Sequence, residues 1–333
     1  MNVKVAVIDS GIEMTHKAFK KNNIDGYSVV KNGERWIKNM GVFDTNGHGT
    51  ACASVIVNEC PNVEILSIGV LDVEGRTNLS ALEFALESLM DSGVSIINMS
   101  LSFRKLVDGE LYRICQRLSE RNITLIASLE NGCEKSYPAV FDNVIGVRHG
   151  VLERENEFWF NKHRQIQCVM DCVAPIVAIP KNKYGLILPF NSIATAKLTG
   201  IISKMFSSAQ ISRIDFNSLC DWMQERSIRN KWDEVEIYER LRVPERTAWH
   251  VDDKDFTLIS LYEIVCDFFK KKFEQRSICD IELLTSKGVL NIDQVIPFLT
   301  FVEKEMNIKL DYLKINRYHL VTVGTLAQYI RTV

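Results

Sequence analysis

Short apolar runs alternate with longer stretches of helical spacing through the first two thirds of the chain. Residues 3–8 (VKVAVI) are the first such run and begin almost at the N-terminus. Residues 63–70 (VEILSIGV), 94–99 (VSIINM), 123–128 (ITLIAS) and 144–147 follow. Each is too short for a helix and rich in β-branched residues, so each is expected to be a buried strand. Between them, 79–91 (LSALEFALESLMD) and 108–121 (DGELYRICQRLSER) carry apolar residues at helical spacing, with Asp108 as the expected cap of the second. Residues 194–206 (ATAKLTGIISKMF) close the series as a helix. Strand, helix, strand in this order predicts right-handed crossovers and a parallel sheet with helices on both faces. Such α/β sheets carry their active sites at the carboxyl ends of the strands, where Asp9 falls.

The pattern also divides the chain. Residues 1–206 are expected to form the α/β domain, 207–254 a helical connector, and 255–333 a small all-α domain. No internal repeat or low-complexity tract interrupts them.

Composition narrows the function. The 333 residues carry 40 Lys and Arg against 42 Asp and Glu, a net charge of −2, with both signs interspersed. That balance argues against nucleic acid or an anionic membrane as the partner. No apolar run reaches the roughly 18 residues needed to span a bilayer. The N-terminus has neither the apolar stretch nor the cleavage site of a signal peptide. The nine cysteines are odd in number and scattered, which suits free thiols in a reducing cytoplasm. No Cys or His cluster has metal-ligand spacing. Cys168 and Cys172, with His163 nearby, read as core, and Asp44 and Asp72 as solvated carboxylates rather than calcium ligands. No cofactor and no metal are expected.

Three segments carry the chemistry: Ala6-Val7-Ile8-Asp9-Ser10-Gly11, Asn46-Gly47-His48-Gly49-Thr50 and Asn191-Ser192-Ile193-Ala194-Thr195-Ala196. The order Asp, His, Ser is one of three known for convergent catalytic triads. With these segments, residues 1–206 resemble the subtilisin-like proteases, the subtilase family. Ile97-Asn98-Met99-Ser100-Leu101-Ser102 resembles the family segment that pairs with the substrate peptide as an added strand. Residues 125–131 (LIASLEN) resemble the segment ending in the family's oxyanion asparagine, and Tyr137-Pro138-Ala139 the segment after it. The resemblance implies catalytic Asp9, His48 and Ser192, an oxyanion donor at Asn131, and a substrate pocket lined by Ser100, Leu101, Ser102, Leu129 and Glu130. It implies a serine endopeptidase acting on a peptide or protein substrate.

The chain also departs from the family. Phe190-Asn191-Ser192 stands where Gly-Thr-Ser is usual, Ala196-Lys197 where Pro-His is usual, and Glu130 where glycine precedes the oxyanion asparagine. The larger side chains imply a narrower pocket, and Glu130 either favours a basic substrate side chain or points to solvent. No N-terminal prodomain precedes the protease-like segment, so an intracellular enzyme under another form of control is expected.

Residues 283–330 resemble part of an acyl or peptidyl carrier protein, a small helical bundle. Asn291-Ile292 stands where the carriers have Asp and the serine that takes phosphopantetheine. Isoleucine has no hydroxyl to esterify, so a docking module for a partner protein is implied instead of a carrier. A setting such as leader removal in peptide biosynthesis would suit that pairing. The alternative, motivated by the altered nucleophile segment, is an inactive subtilase fold kept as a binding or regulatory protein.

Overall fold

Val5, Ala6, Val7 and Ile8 are almost wholly screened from solvent, so the strand they build needs neighbours on both edges and cover on both faces. In the computed structural model this strand, β1 (Lys4–Asp9), lies between β4 (Glu64–Gly69) and β5 (Ile96–Met99), parallel to both. The structure describes residues 3–41, 43–44, 46–105, 109–152, 155–234, 236–239, 255–273 and 277–333. The remaining strands of the large sheet are β2 (Ile24–Asn32), β3 (Arg35–Asn39), β6 (Thr124–Ser128), β7 (Ile145–Gly150), β8 (Phe158–Phe160) and β9 (Cys168–Asp171). The nine strands run in the order β3-β2-β4-β1-β5-β6-β7-β9-β8. The strands from β2 to β9 in that order are parallel, and β3 and β8 close the two edges antiparallel. Because the order reverses at β1, the chain leaves its carboxyl end between diverging connections, the usual place for a site in such sheets.

The helices of this part are α1 (His48–Glu59), α2 (Leu79–Glu87), α3 (Glu110–Glu120) and α4 (Asn191–Ala209). The predicted strands and the last three of these helices are present, each within a few residues of expectation. The cap expected at Asp108 lies outside the described residues. Two features were not foreseen. Helix α1 is buried on nearly every side, so it lacks the amphipathic stripe that marks a surface helix. Strands β2 and β3 mix polar and apolar residues because they lie at and next to the sheet's edge, where part of each is exposed.

The chain divides into two compact units. The first takes in Met1–Cys172, Ala178–Lys183 and Pro189–Leu241. Within the segment read as a connector it holds α5 (Phe216–Arg226) and α6 (Glu236–Glu239), while 240–254 lie outside the described residues. The second unit takes in Arg242–Val333 together with Val173–Val177 and Tyr184–Leu188. It contains α7 (Phe256–Phe269), α8 (Val295–Met306) and α9 (Val323–Ile330), joined by short 3-10 turns. Their apolar faces share one core, with Leu261, Phe298, Leu299, Val302 and Leu326 fully buried. This unit is therefore not built from the C-terminal segment alone: Ile176 belongs to the same core, and Tyr184 and Leu186 pack on it. Strands β10 (Ile176–Ile179) and β11 (Lys183–Leu186) form the ladder that includes these residues.

Candidate active site

Asp9 ends β1 and is completely buried. Its carboxylate accepts from His48 Nδ1 at 2.8 Å through Oδ1 and 2.9 Å through Oδ2, and from the Ser10 N–H at 2.8 Å. Nδ1 thus carries a proton, so Nε2 of the neutral ring keeps its lone pair for a substrate-side proton. The His48 side chain remains one third exposed. Asp9 beside it holds the imidazole pKa well above its ordinary range, because the charge of a buried carboxylate favours the imidazolium.

His48 opens α1, and two glycines make that possible. Gly47 has φ +97°, a conformation that side chains resist. A Cβ on Gly49 would stand 2.1 Å from the Gly11 carbonyl oxygen. The same turn is organised by Asp44, which is no free surface carboxylate. It accepts from the Ser10 hydroxyl (2.8 Å), the Asn46 N–H (3.2 Å), the Gly47 N–H (2.7 Å), the Thr50 N–H (2.9 Å) and the Thr50 hydroxyl. Its charge sits at the start of α1, where the helix dipole favours it. Through Ser10 it links the segment bearing Asp9 to the segment bearing His48. Asp in the run before Gly-His-Gly was the signal available in the sequence. Asp72 likewise accepts from the backbone N–H groups of Glu74 and Arg76, both at 2.9 Å.

Cys52 lies one helical turn beyond His48, with Sγ 3.9 Å from Nδ1. Burial raises its thiol pKa, so it stays protonated. Asp9, His48 and Cys52 are the one group among the described residues whose side chains converge closely enough to hold a metal ion. Asp9 and His48 already satisfy one another there. Cys168 and Cys172 are buried core thiols, and all nine cysteines are free.

Ser192 stands in the first turn of α4. Its hydroxyl donates to the Ser100 carbonyl at 3.4 Å, not to His48, and the Ser100 hydroxyl donates back to the Ser192 carbonyl at 3.1 Å. The missing glycine at 190 costs nothing, because Phe190 is extended (φ −122°, ψ 163°), a conformation open to any residue. Asn131 is exposed, and its Oδ1 accepts from the Asn191 N–H at 3.2 Å. That bond turns the amide oxygen inward and Nδ2 away from it.

A pocket of about 500 Å3 is lined by His48, Leu71, Arg76, Ser100, Leu101, Ser102, Phe103 and Glu130. The expected wall residues Ser100, Leu101, Ser102 and Glu130 are therefore brought together beside His48. Leu129 is not on that wall; its side chain is 2% exposed and lies in the core beneath the sheet's end. Glu130 is held by an ion pair with Arg104. Its Oε1 accepts from Arg104 Nε at 2.7 Å and lies 2.6 Å from Nη2. Removing that partner in Arg104→Ala is expected to speed cleavage after lysine or arginine about fivefold, the scale of an exposed ion pair. Competing peptides that differ only in the residue before the scissile bond would measure it; equal rates would leave Glu130 without a role in selection.

A parallel sheet, a buried Asp bonded to a histidine, and a serine at the start of a neighbouring helix are an arrangement compatible with the triad of a serine hydrolase. The chain belongs to the subtilase family, whose model matches residues 1–170, a span that holds Asp9, His48 and Asn131 and ends before Ser192. It is similar to a thermophilic serine proteinase of Bacillus sp. (strain AK1), 26% identical over 62% of this chain and 53% of that protein. It is also similar to the major intracellular serine protease of Bacillus subtilis (strain 168), 25% identical over 72% of this chain and 75% of that one. The chain thus spans about half the length of the first relative and three quarters of the second. Among solved structures it resembles a cold adapted subtilisin-like serine proteinase, with TM-score 0.56 and 19% identity, over 70% of this chain and 85% of that one. No helix of the described residues is long and apolar enough to cross a membrane.

Proposed function

We propose that this chain is an intracellular endopeptidase that cleaves a peptide or protein substrate with Asp9, His48 and Ser192 as its triad. The observation that carries the reading is the pair of bonds from a fully buried Asp9 to His48 Nδ1. A serine hydroxyl is a poor nucleophile without an adjacent base. When a turn about χ1 brings Ser192 Oγ to Nε2, His48 takes its proton as Oγ bonds to the scissile carbonyl carbon. The C–N bond then breaks, and His48 returns the proton to the leaving amine. Water, deprotonated in turn by His48, hydrolyses the ester and restores Ser192. Asn131 Nδ2 and the Ser192 N–H serve the developing oxyanion, and Ser100, Leu101 and Ser102 offer backbone to an extended substrate. Free thiols and the likeness to an intracellular protease support a cytoplasmic setting.

The second unit serves in this reading as a docking module for a partner protein, consistent with leader removal from a precursor. Ile292 begins the 3-10 turn before α8 and is 53% exposed, with no hydroxyl to carry a prosthetic arm.

The bond from Ser192 to the Ser100 carbonyl favours a second reading, an inactive subtilase fold used for binding. Fluorophosphonate labelling of the full chain separates the two. Labelling that is lost in Ser192→Ala and falls at least a hundredfold in His48→Ala is expected. A folded wild type that takes no label would establish the binding reading.

A further inference from the structure

Asn191 stands where the subtilase pattern has threonine, and it is 95% screened from solvent on a residue that adjoins the nucleophile. Every polar group of its side chain is engaged. Nδ2 donates to the Leu129 carbonyl at 2.8 Å. Oδ1 accepts from the His149 N–H at 2.8 Å and from His149 Nδ1 at 2.9 Å. Its own N–H is the donor to Asn131 Oδ1, and its carbonyl accepts from the Thr195 hydroxyl at 2.7 Å. Asn191 therefore ties the start of α4 to the loop after β6 and to β7, two sheet-borne segments that are themselves joined by the Leu129 N–H to Val147 carbonyl bond (2.8 Å).

Two atoms that the proposed chemistry needs depend on this arrangement. The Ser192 backbone follows Asn191 directly, so anchoring one side chain anchors the nucleophile. The Asn131 amide, exposed and otherwise free to rotate, is turned by the backbone N–H of Asn191, whose place is fixed by the anchored Asn191 side chain, so that Nδ2 faces outward as a donor. Threonine has one hydroxyl oxygen for both roles, whereas the amide separates the donor Nδ2 from the acceptor Oδ1 and so reaches Leu129 and His149 on two sides at once. We propose that Asn191 is a positioning residue that sets nucleophile and oxyanion donor in register.

The proposal rests on the protease reading, so the test is built to separate the two. Peptide hydrolysis is measured for the full-length wild type, Asn191→Ala, Asn131→Ala and the double variant, with circular dichroism confirming that each is folded. Asn131→Ala is expected to lower kcat 10²–10³-fold, as for other oxyanion donors. Asn191→Ala is expected to lower kcat about 10²-fold with KM within threefold of wild type. The double variant should lose far less than the product of the two, since Asn191 acts in part through Asn131. Asn191→Thr should recover part of the kcat loss and keeps the test open should the alanine variant not fold. Multiplicative losses, or an Asn191→Ala effect confined to KM, would overturn the proposal and leave the protease standing. A wild type that hydrolyses nothing overturns both.

Discussion

Asp9→Asn is expected to lower hydrolysis about 10⁴-fold while leaving the chain folded, the cost of the same change in another Ser-His-Asp protease. The amide can keep a hydrogen bond to His48, but it no longer compels Nδ1 to hold the proton, and it cannot stabilise the imidazolium that forms as Ser192 attacks. A pH signature accompanies the loss. Asp9 is the main reason that His48 is held above the ordinary imidazole range. Only the neutral ring acts as a base, so the acid limb of kcat/KM in the wild type should lie above pH 6.5. It should move down towards that value in Asp9→Asn. Stability runs the opposite way. A group whose pKa is raised on folding contributes stability fully below its unfolded pKa, and that contribution fades as pH rises through the raised value. Urea midpoints of the wild type should therefore fall across the range in which activity rises, and those of Asp9→Asn should be flatter. Superimposable pH profiles for the two proteins would mean that Asp9 does not control the histidine.

A single charge in the core of the second unit is expected to silence the nucleophile of the first. Ile176 is 1% exposed, and its N–H donates to the Ile315 carbonyl at 3.0 Å. Beside it Pro175 bridges Asn316, and Tyr184 packs on Tyr312 with ring centroids 5.0 Å apart. The stretch Tyr184–Leu188 belongs to this unit, and the chain leaves it at Leu188, just ahead of Phe190, Asn191 and Ser192. Ile176→Asp places a carboxylate at a position only 1% exposed inside an apolar core and should cost the second unit about 4 kcal/mol or more. Loss of that packing is expected to loosen Tyr184–Leu188, the stretch that runs into Pro189 and α4 in the chain. Fluorophosphonate labelling of the full-length variant should fall more than tenfold, although Asp9, His48 and Ser192 are unchanged. Limited proteolysis would show whether the second unit has loosened. Loosening with an unchanged labelling rate would make the two units independent and return the second to a docking role alone.

The strands that became β1, β4, β5, β6 and β7 were legible because each is a continuous apolar run, the local consequence of burial on both faces. Strand β2, next to the edge strand β3, exposes part of its length, and β8 to β11 are too short to set a period. Helix α1 escaped for the opposite reason: a segment apolar on all sides has no face to read. At the site, Asp9, His48 and Ser192 lie in short contiguous motifs, so the sequence could single them out as candidates. Leu129 packs in the core cluster, since side-chain direction at the end of a strand depends on where the chain turns.

The sequence by itself determined the α/β class, the succession of buried strands along the chain and the candidate chemical groups, because these reside in local runs and in motifs a few residues long. Only the tertiary structure decided that Asp44 joins the Asp9 and His48 turns, that Arg104 neutralises Glu130, that Asn191 reaches Leu129 and His149, and that a stretch before Ser192 belongs to the C-terminal unit's core. Each of these joins residues far apart in the chain, and which partners meet is settled by how strands and helices pack rather than by any local preference.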